Sequence, residues 1–241
     1  MKNLLNLPNV LTLCNLICGC LAIKVVFLIG LANNYPNTEH VFLTAFVLLL
    51  VAAVFDFFDG FAARLLKIAS PIGKDLDSLA DVVTFGVAPG FIVLQYLKLN
   101  FEIMNPELHA YHIHYLALLI PVFSALRLAK FNNDSRQSLG FIGLPTPANA
   151  LFFASLVLMQ GIPQLHFVVL ICVPLFCYFM LAEIPLFALK FKNFSFKGNE
   201  IKYIFLLLCL VLILFLQIKA MPFTILLYLL LSVVNNKLSK V

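Results

Sequence analysis

The fold class predicted for this chain is all-α: a polytopic helical membrane protein with about eight transmembrane helices and both termini in the cytoplasm. Composition is the first reason. Of 241 residues, 63% are hydrophobic and 11% charged, and the mean hydropathy is +1.04, which does not fit a water-solvated surface. The second is length, because about 150 apolar residues divided by the roughly 20 that cross a bilayer as helix gives seven or eight spans and excludes a large soluble domain. The third is the one-sided placement of the cations.

The apolar runs, bounded by polar or proline-containing breaks, fall at 8–32, 41–66, 74–97, 112–131, 147–161, 165–189, 201–218 and 221–235. The first carries one preceding lysine, is too long for a signal-peptide core and lacks a small-residue cleavage site, so it reads as a retained helix. Ser70 and Pro71 end the second and open the third. The fifth is short, and the last two are separated by little more than Lys219, Ala220 and Pro222. Seven spans, or a tight terminal hairpin, are therefore the alternatives. The expected division is a six-helix core over 1–189 and a loop with two further helices over 190–241.

Positive residues are retained on the cytoplasmic side of short loops. With the N-terminus inside, Lys2, Arg64, Lys67, Lys74, Arg127, Lys130, Arg136, Lys190, Lys192, Lys197, Lys202, Lys237 and Lys240 are cytoplasmic, thirteen of sixteen. Lys98 and Lys219 fall outside and Lys24 lies within the first span. The net charge of +5 thus reads as an orientation signal with attraction to anionic headgroups. No basic stripe interleaved with aromatics supports nucleic-acid binding. All six cysteines lie in expected spans and read as packing residues, and His109, His112 and His114 read as a solvated outer loop.

An ionised group at a helix centre costs on the order of 2.5–3.5 kcal/mol, so the placement of eleven acids is informative. Asp56, Asp59, Asp75, Asp77 and Asp81 crowd into 26 residues, DFFDGFAARLLKIASPIGKDLDSLAD. Asp56, Asp59 and Ala63 share one helix face; Gly73, Asp77 and Asp81 recur every four residues on the next helix, with Asp75 off that face. Two helices joined by a short turn bring four carboxylates together. Arg64 offsets only part of their charge, and a hard divalent cation resolves the rest: magnesium, manganese or calcium rather than zinc. Four carboxylates suffice for two ions, an arrangement suited to phosphoryl-type displacement. Gly60 and Gly73 are poor helix-interior residues and are expected to let backbone approach a ligand.

The pattern D-x2-D-G-x2-A-R-x8-G-x3-D-x3-D, present as Asp56, Asp59, Gly60, Ala63, Arg64, Gly73, Asp77 and Asp81, resembles the signature of the CDP-alcohol phosphatidyltransferases. The resemblance implies transfer of a phosphatidyl group from CDP-diacylglycerol to an alcohol, with release of CMP. It implies that Asp56, Asp59, Asp77 and Asp81 bind Mg2+ or Mn2+, two ions in all, that Asp81 is also the general base, and that Gly60, Arg64 and Ser70 hold the CDP portion. Ser70 is not a specified position of the motif. It also implies the inner (cytoplasmic) membrane, a site facing the cytoplasm, and a homodimer.

NLPNVLTLCNLICG, SLADVVTFGVAPG, and RLAKFN followed by GFIGLPTPANA are similar to the serine-accepting bacterial branch of that family, which makes L-serine the expected acceptor. Its carboxylate calls for a cation, and Arg127, Lys130 and Arg136 at the end of the fourth span are the candidates, with Asn132 and Asn133 nearby. The same residues equally suit an ordinary positive-inside flank. Asn9 and Thr12 are placed either to bind the cytidine or to cap the first helix. Glu183, an acid inside an expected span, reads as functional, or as structural through Lys190 or at a helix interface. Glycerol 3-phosphate or an inositol phosphate as acceptor, and a divalent-cation transporter, are the competing readings.

Overall fold

A computed structural model of the chain describes residues 5–30, 38–68, 70–134, 136, 141–187, 195–196 and 198–238. Helix α1 (Leu7–Phe27) starts where the Asn6 side chain accepts a hydrogen bond from the Asn9 amide at 3.0 Å, with Pro8 in the first turn. This satisfies a free amide at the helix start. Capping therefore belongs to Asn6, and neither Asn9 nor Thr12 serves as the cap.

Helix α2 (Thr38–Leu65) has 28 residues, about 42 Å at 1.5 Å per residue, against a hydrocarbon layer of about 30 Å. Asp56 stands about 27 Å along it. Helix α3 (Pro71–Asp81) is capped by Ser70, whose hydroxyl accepts from the Gly73 amide at 3.1 Å. It continues through a π-helical turn, Val82–Val87, into α4 (Ala88–Met104).

The run Pro71–Met104 is the most enclosed of the candidate spans. Close approach is allowed by small residues at three points. A Cβ at Gly19 would stand 2.4 Å from Thr84 Oγ1, one at Gly86 3.0 Å from Ser124 Cβ, and one at Gly90 2.7 Å from Pro121 Cδ.

After the short α5 (Pro106–Ala110) and a 3-10 segment, Ile113–Leu118, comes α6 (Leu119–Asn133), followed by α7 (Thr146–Leu156), α8 (Leu165–Leu181), α9 (Glu200–Leu216) and α10 (Met221–Leu238). Eight helical segments thus stand at the eight expected positions among the described residues. Five runs are long and apolar enough to cross a membrane, α9 and α10 being joined in one of them. Gln217, at φ 50° and ψ −126°, breaks that run between α9 and α10. With 11 residues, α7 spans only about 16 Å.

The sixth span ends earlier than its hydropathy suggests. A two-residue antiparallel ladder pairs β1 (Phe141–Ile142) with β2 (Pro185–Leu186), and the Leu144 and Gly143 amides donate to Phe179 O and Ile184 O at 2.9 Å. Gly143 has φ +77°, and a Cβ there would lie 2.5 Å from Met180 O, so only glycine fits. These contacts terminate α8 at Leu181. Glu183 consequently lies beyond the span and is exposed, a correction to its placement within the membrane. Lys190, its expected partner, lies outside the described residues.

Large buried side chains such as Phe46, Leu49, Ile92, Phe153 and Phe176 form the main core. Cys18, Ala52, Phe85 and Ala150 form a separate small apolar layer. The six cysteines are free thiols. Of the three histidines expected in a solvated loop, His112 is exposed, whereas His114 is buried and stacks on His109 at 5.2 Å.

Candidate active site

Four helix ends meet at one end of the bundle: the start of α1, the end of α2, the start of α3 and the end of α6. Asp56, Asp59 and Asp77 each direct a carboxylate oxygen to a common point, all within 4.8 Å of one another. Three converging hard oxygen donors can hold a divalent cation. Among the described residues this is the only such group of three potential ligands. Asp81 is the fourth carboxylate, 7% exposed, and faces Asp56 and Asp77. Its Oδ1 accepts from Asn15 Nδ2 at 3.2 Å. Asp75 is exposed.

No described cation forms a salt bridge with any of these four aspartates. What holds the carboxylates in place is neutral. Thr12 Oγ1 donates to Asp59 Oδ2 at 2.6 Å, and also lies 3.1 Å from Pro8 O. The hydroxyl is thus directed at a carboxylate. Asn15, one turn further along α1, does the same for Asp81. A polar side chain inside an apolar span was the sequence signal that would have found Asn15, and the residue is fully buried.

A pocket of about 180 Å³ opens beside the trio. Pro8, Asn9 and Thr12 of α1 form one wall, and Asp59, Gly60 and Ala63 of α2 another. Ser70, Gly73, Lys74 and Asp77 close it. Gly60 leaves its part of the wall open, since a Cβ there would meet nothing nearer than Arg64 Nη2 at 4.0 Å. Gly73 has a different reason to lack a side chain. A Cβ there would stand 3.1 Å from both Asn9 Oδ1 and Ser70 Oγ, so those two side chains would have to shift to admit it.

Arg64 is exposed and is not part of the pocket wall. Lys74 is, and sequence reasoning missed it, having used it only for orientation. Its spacing of three from Asp77 puts both on one helix face, which was the available signal. Lys74 Nζ also donates to Asn132 O at 3.2 Å, and Asn132 Nδ2 donates to Ser78 Oγ at 2.7 Å. These bonds tie α3 to the end of α6.

The three cations expected near the acceptor separate. Lys130 Nζ donates to Glu183 Oε1 at 2.6 Å, and Arg136 pairs with Asp134 at 2.8 Å and Glu183 at 3.1 Å. Arg127 is 4% exposed, its guanidinium carbon 4.7 Å from the Phe131 ring centroid, within electrostatic reach of Asp81.

A model of the CDP-alcohol phosphatidyltransferase family matches residues 5–178. Three relatives, each named CDP-diacylglycerol--serine O-phosphatidyltransferase, are similar to the chain. The Helicobacter pylori protein is 30% identical over 212 residues, covering 86% of this chain and 85% of that protein. The Bacillus subtilis protein is 34% identical over 141 residues, 58% of this chain and 69% of that protein. The Methanocaldococcus jannaschii protein is 31% identical over 150 residues, 62% of this chain and 59% of that protein.

Proposed function

This chain belongs to the CDP-alcohol phosphatidyltransferase family, and from that premise we propose that it transfers the phosphatidyl group of CDP-diacylglycerol to the hydroxyl of L-serine, releasing CMP. The observation that carries the reading is the convergence of Asp56, Asp59 and Asp77 beside a pocket walled by Gly60, Ala63, Ser70 and Gly73. The relatives' names carry the choice of serine.

The family works with divalent metal ions, and the donor set here fits a hard cation. In this reading Asp56, Asp59, Asp77 and Asp81 hold two ions, Mg2+ or Mn2+. When bound, the metal supplies positive charge to the diphosphate oxygens. Gly60 admits the nucleotide against bare backbone, with Asn9 and Ser70 along the pocket edge. Lys74 within the pocket and Arg64 at its rim meet the negative charge that collects on the departing CMP.

An apolar cavity of about 530 Å³, lined by Leu7, Leu11, Phe58, Phe61 and Leu65 among others, lies along the same α1–α2 seam and suits an acyl chain. Asp81 accepts the proton of the attacking hydroxyl. The serine oxygen forms a bond to the phosphatidyl phosphorus, and the bond from that phosphorus to the CMP oxygen breaks with its electron pair leaving on CMP. Asn15 fixes one Asp81 oxygen and so orients the other.

The protein is a multi-pass membrane protein. The cation distribution supports a place in the inner membrane with the aspartate end facing the cytoplasm. Residues 1–189 then serve as the catalytic core, and 190–241 supply an added helix pair available for contact with a second copy.

The test is CMP release by purified protein given CDP-diacylglycerol, Mg2+ or Mn2+, and labelled serine, glycerol 3-phosphate or inositol phosphate. Serine alone should give CMP and labelled lipid, with activity lost on chelation and restored by added divalent ion. Release only with a phosphorylated acceptor overturns serine as the substrate. Metal flux into vesicles without any release overturns the enzyme itself.

A further inference from the structure

The helical run from Asp81 to Met104 carries the chain roughly 35 Å away from the aspartates. Beyond that point three histidines gather, His109 in α5, His112 at the start of the 3-10 segment and His114 within it. The ring centroids of His109 and His114 are 5.2 Å apart, and those of His112 and His114 are 5.9 Å apart. Distance alone removes this cluster from the transfer chemistry.

Buried polar atoms are almost always hydrogen-bonded, yet His109 Nδ1 and His114 Nδ1 are buried with no partner among the described residues. His114 as a whole is 3% exposed. His166, buried as deeply, shows the ordinary solution, with its Nε2 3.0 Å from Asn105 Oδ1. A neutral imidazole carries one N–H and one lone pair, so a cation taking both lone pairs would satisfy two stranded atoms at once.

We propose that His109 and His114, with His112 as a third arm, form a site for a borderline divalent cation: Zn2+, Cu2+ or Ni2+. Imidazole nitrogen suits these ions, whereas the aspartate oxygens at the other end suit hard ones. The spacing agrees. With metal–nitrogen bonds of about 2.0–2.1 Å at a tetrahedral ion, two ring centres stand about 5 Å apart, the separation that His109 and His114 already have.

His112 does not yet meet the other two at a common point as the aspartate oxygens do. It is exposed, however, and exposed side chains change rotamer readily. Water completes the coordination on the open side. The cation within electrostatic reach of His114 is Lys98, itself exposed, so its opposition is screened. Bound, the ion ties α5 to the 3-10 segment and fastens the connection between α4 and α6.

The experiment is calorimetric titration of tag-free, full-length protein in detergent with Zn2+, in excess Mg2+. Wild type should bind one Zn2+ ion that Asp77→Asn keeps, and His109→Gln should weaken that ion's binding by at least about 100-fold. His112→Asn, which tolerates the left-handed backbone at φ 55°, should weaken it by at least about tenfold. Co2+ in the same site should give visible d-d bands without thiolate charge-transfer absorption, which separates histidine from the six free cysteines.

Zn2+ should also raise the apparent Tm of wild type by a few degrees and leave that of His109→Gln unchanged. Without added metal both histidine variants should melt with wild type. Failure of wild type to bind this ion, binding that survives His109→Gln, or thiolate absorption from Co2+ overturns the site. Because His112 is exposed, His112→Asn remains informative even if His109→Gln misfolds, and unchanged Zn2+ affinity there overturns the third arm. None of these outcomes bears on phosphatidyl transfer.

Discussion

Two sets of acids stand at the same end of the bundle and are treated in opposite ways. Glu183 and Asp134 meet Lys130 and Arg136 at the ends of α6 and α8, in a network open to water. The Lys130 hydrogen bond, supported by Arg136, holds the Glu183 carboxyl below the ordinary glutamate range. Asp56, Asp59, Asp77 and Asp81 are more enclosed and crowd one another; threonine and asparagine hold two of them by hydrogen bonds, and no described cation closes a salt bridge on any of them. The first set is electrically complete. The second is complete only when something positive enters, and that imbalance separates a surface fastening from a reaction centre.

The largest test of the contrast is Asp81→Asn. It should lower kcat by about 10²- to 10⁴-fold, the usual contribution of a general base. The metal-free variant should melt no lower than wild type, because one of four mutually repelling charges is gone. Thermal melting in detergent beside a CMP-release assay checks both halves; near-normal turnover would remove Asp81 from the chemistry.

Next in size is Gly19→Val. The added atoms meet Thr84 Cα, 2.7 Å from the position of a Cβ, so backbone must move, at about 1–3 kcal/mol for such overpacking. The apparent Tm should fall by several degrees. Activity should fall with it, since α1 carries Asn15 and the run through Thr84 carries Asp81. A melt unchanged from wild type would show that the contact is looser than drawn. The smallest effect is expected for Glu183→Gln, less than about twofold in turnover, because exposed ion pairs contribute little. A large loss there would erase the distinction between the two sets of acids.

The helix positions and the eight motif residues were legible in the sequence because both are local: hydropathy runs, and spacings of three and four on one face. Features that depend on distant partners were not. Glu183 finds Lys130, 53 residues away, and no periodicity announces that pair. The end of α8 is set by hydrogen bonds from Gly143 and Leu144, so an apolar run extending to 189 overshot it. Asn149 and Thr146 resemble an ordinary helix start until tertiary packing leaves their side chains buried without a partner among the described residues. Asn15 and Lys74 did carry local signals, a polar residue in an apolar span and a cation on the Asp77 face.

The π-helical turn from Val82 to Val87 bears on how the site is aimed. Its closing amide, on Ala88, reaches back five residues to Val83 O. An extra residue in a turn rotates everything before it by about 100° relative to everything after it. Asp77 and Asp81 therefore point where they do through a phase offset from α4, whose face is already committed to the bundle interior. A regular α-helical turn through Val82–Val87, at unchanged sequence, would leave every side chain of the motif present and turn two of its four carboxylates away from the other two.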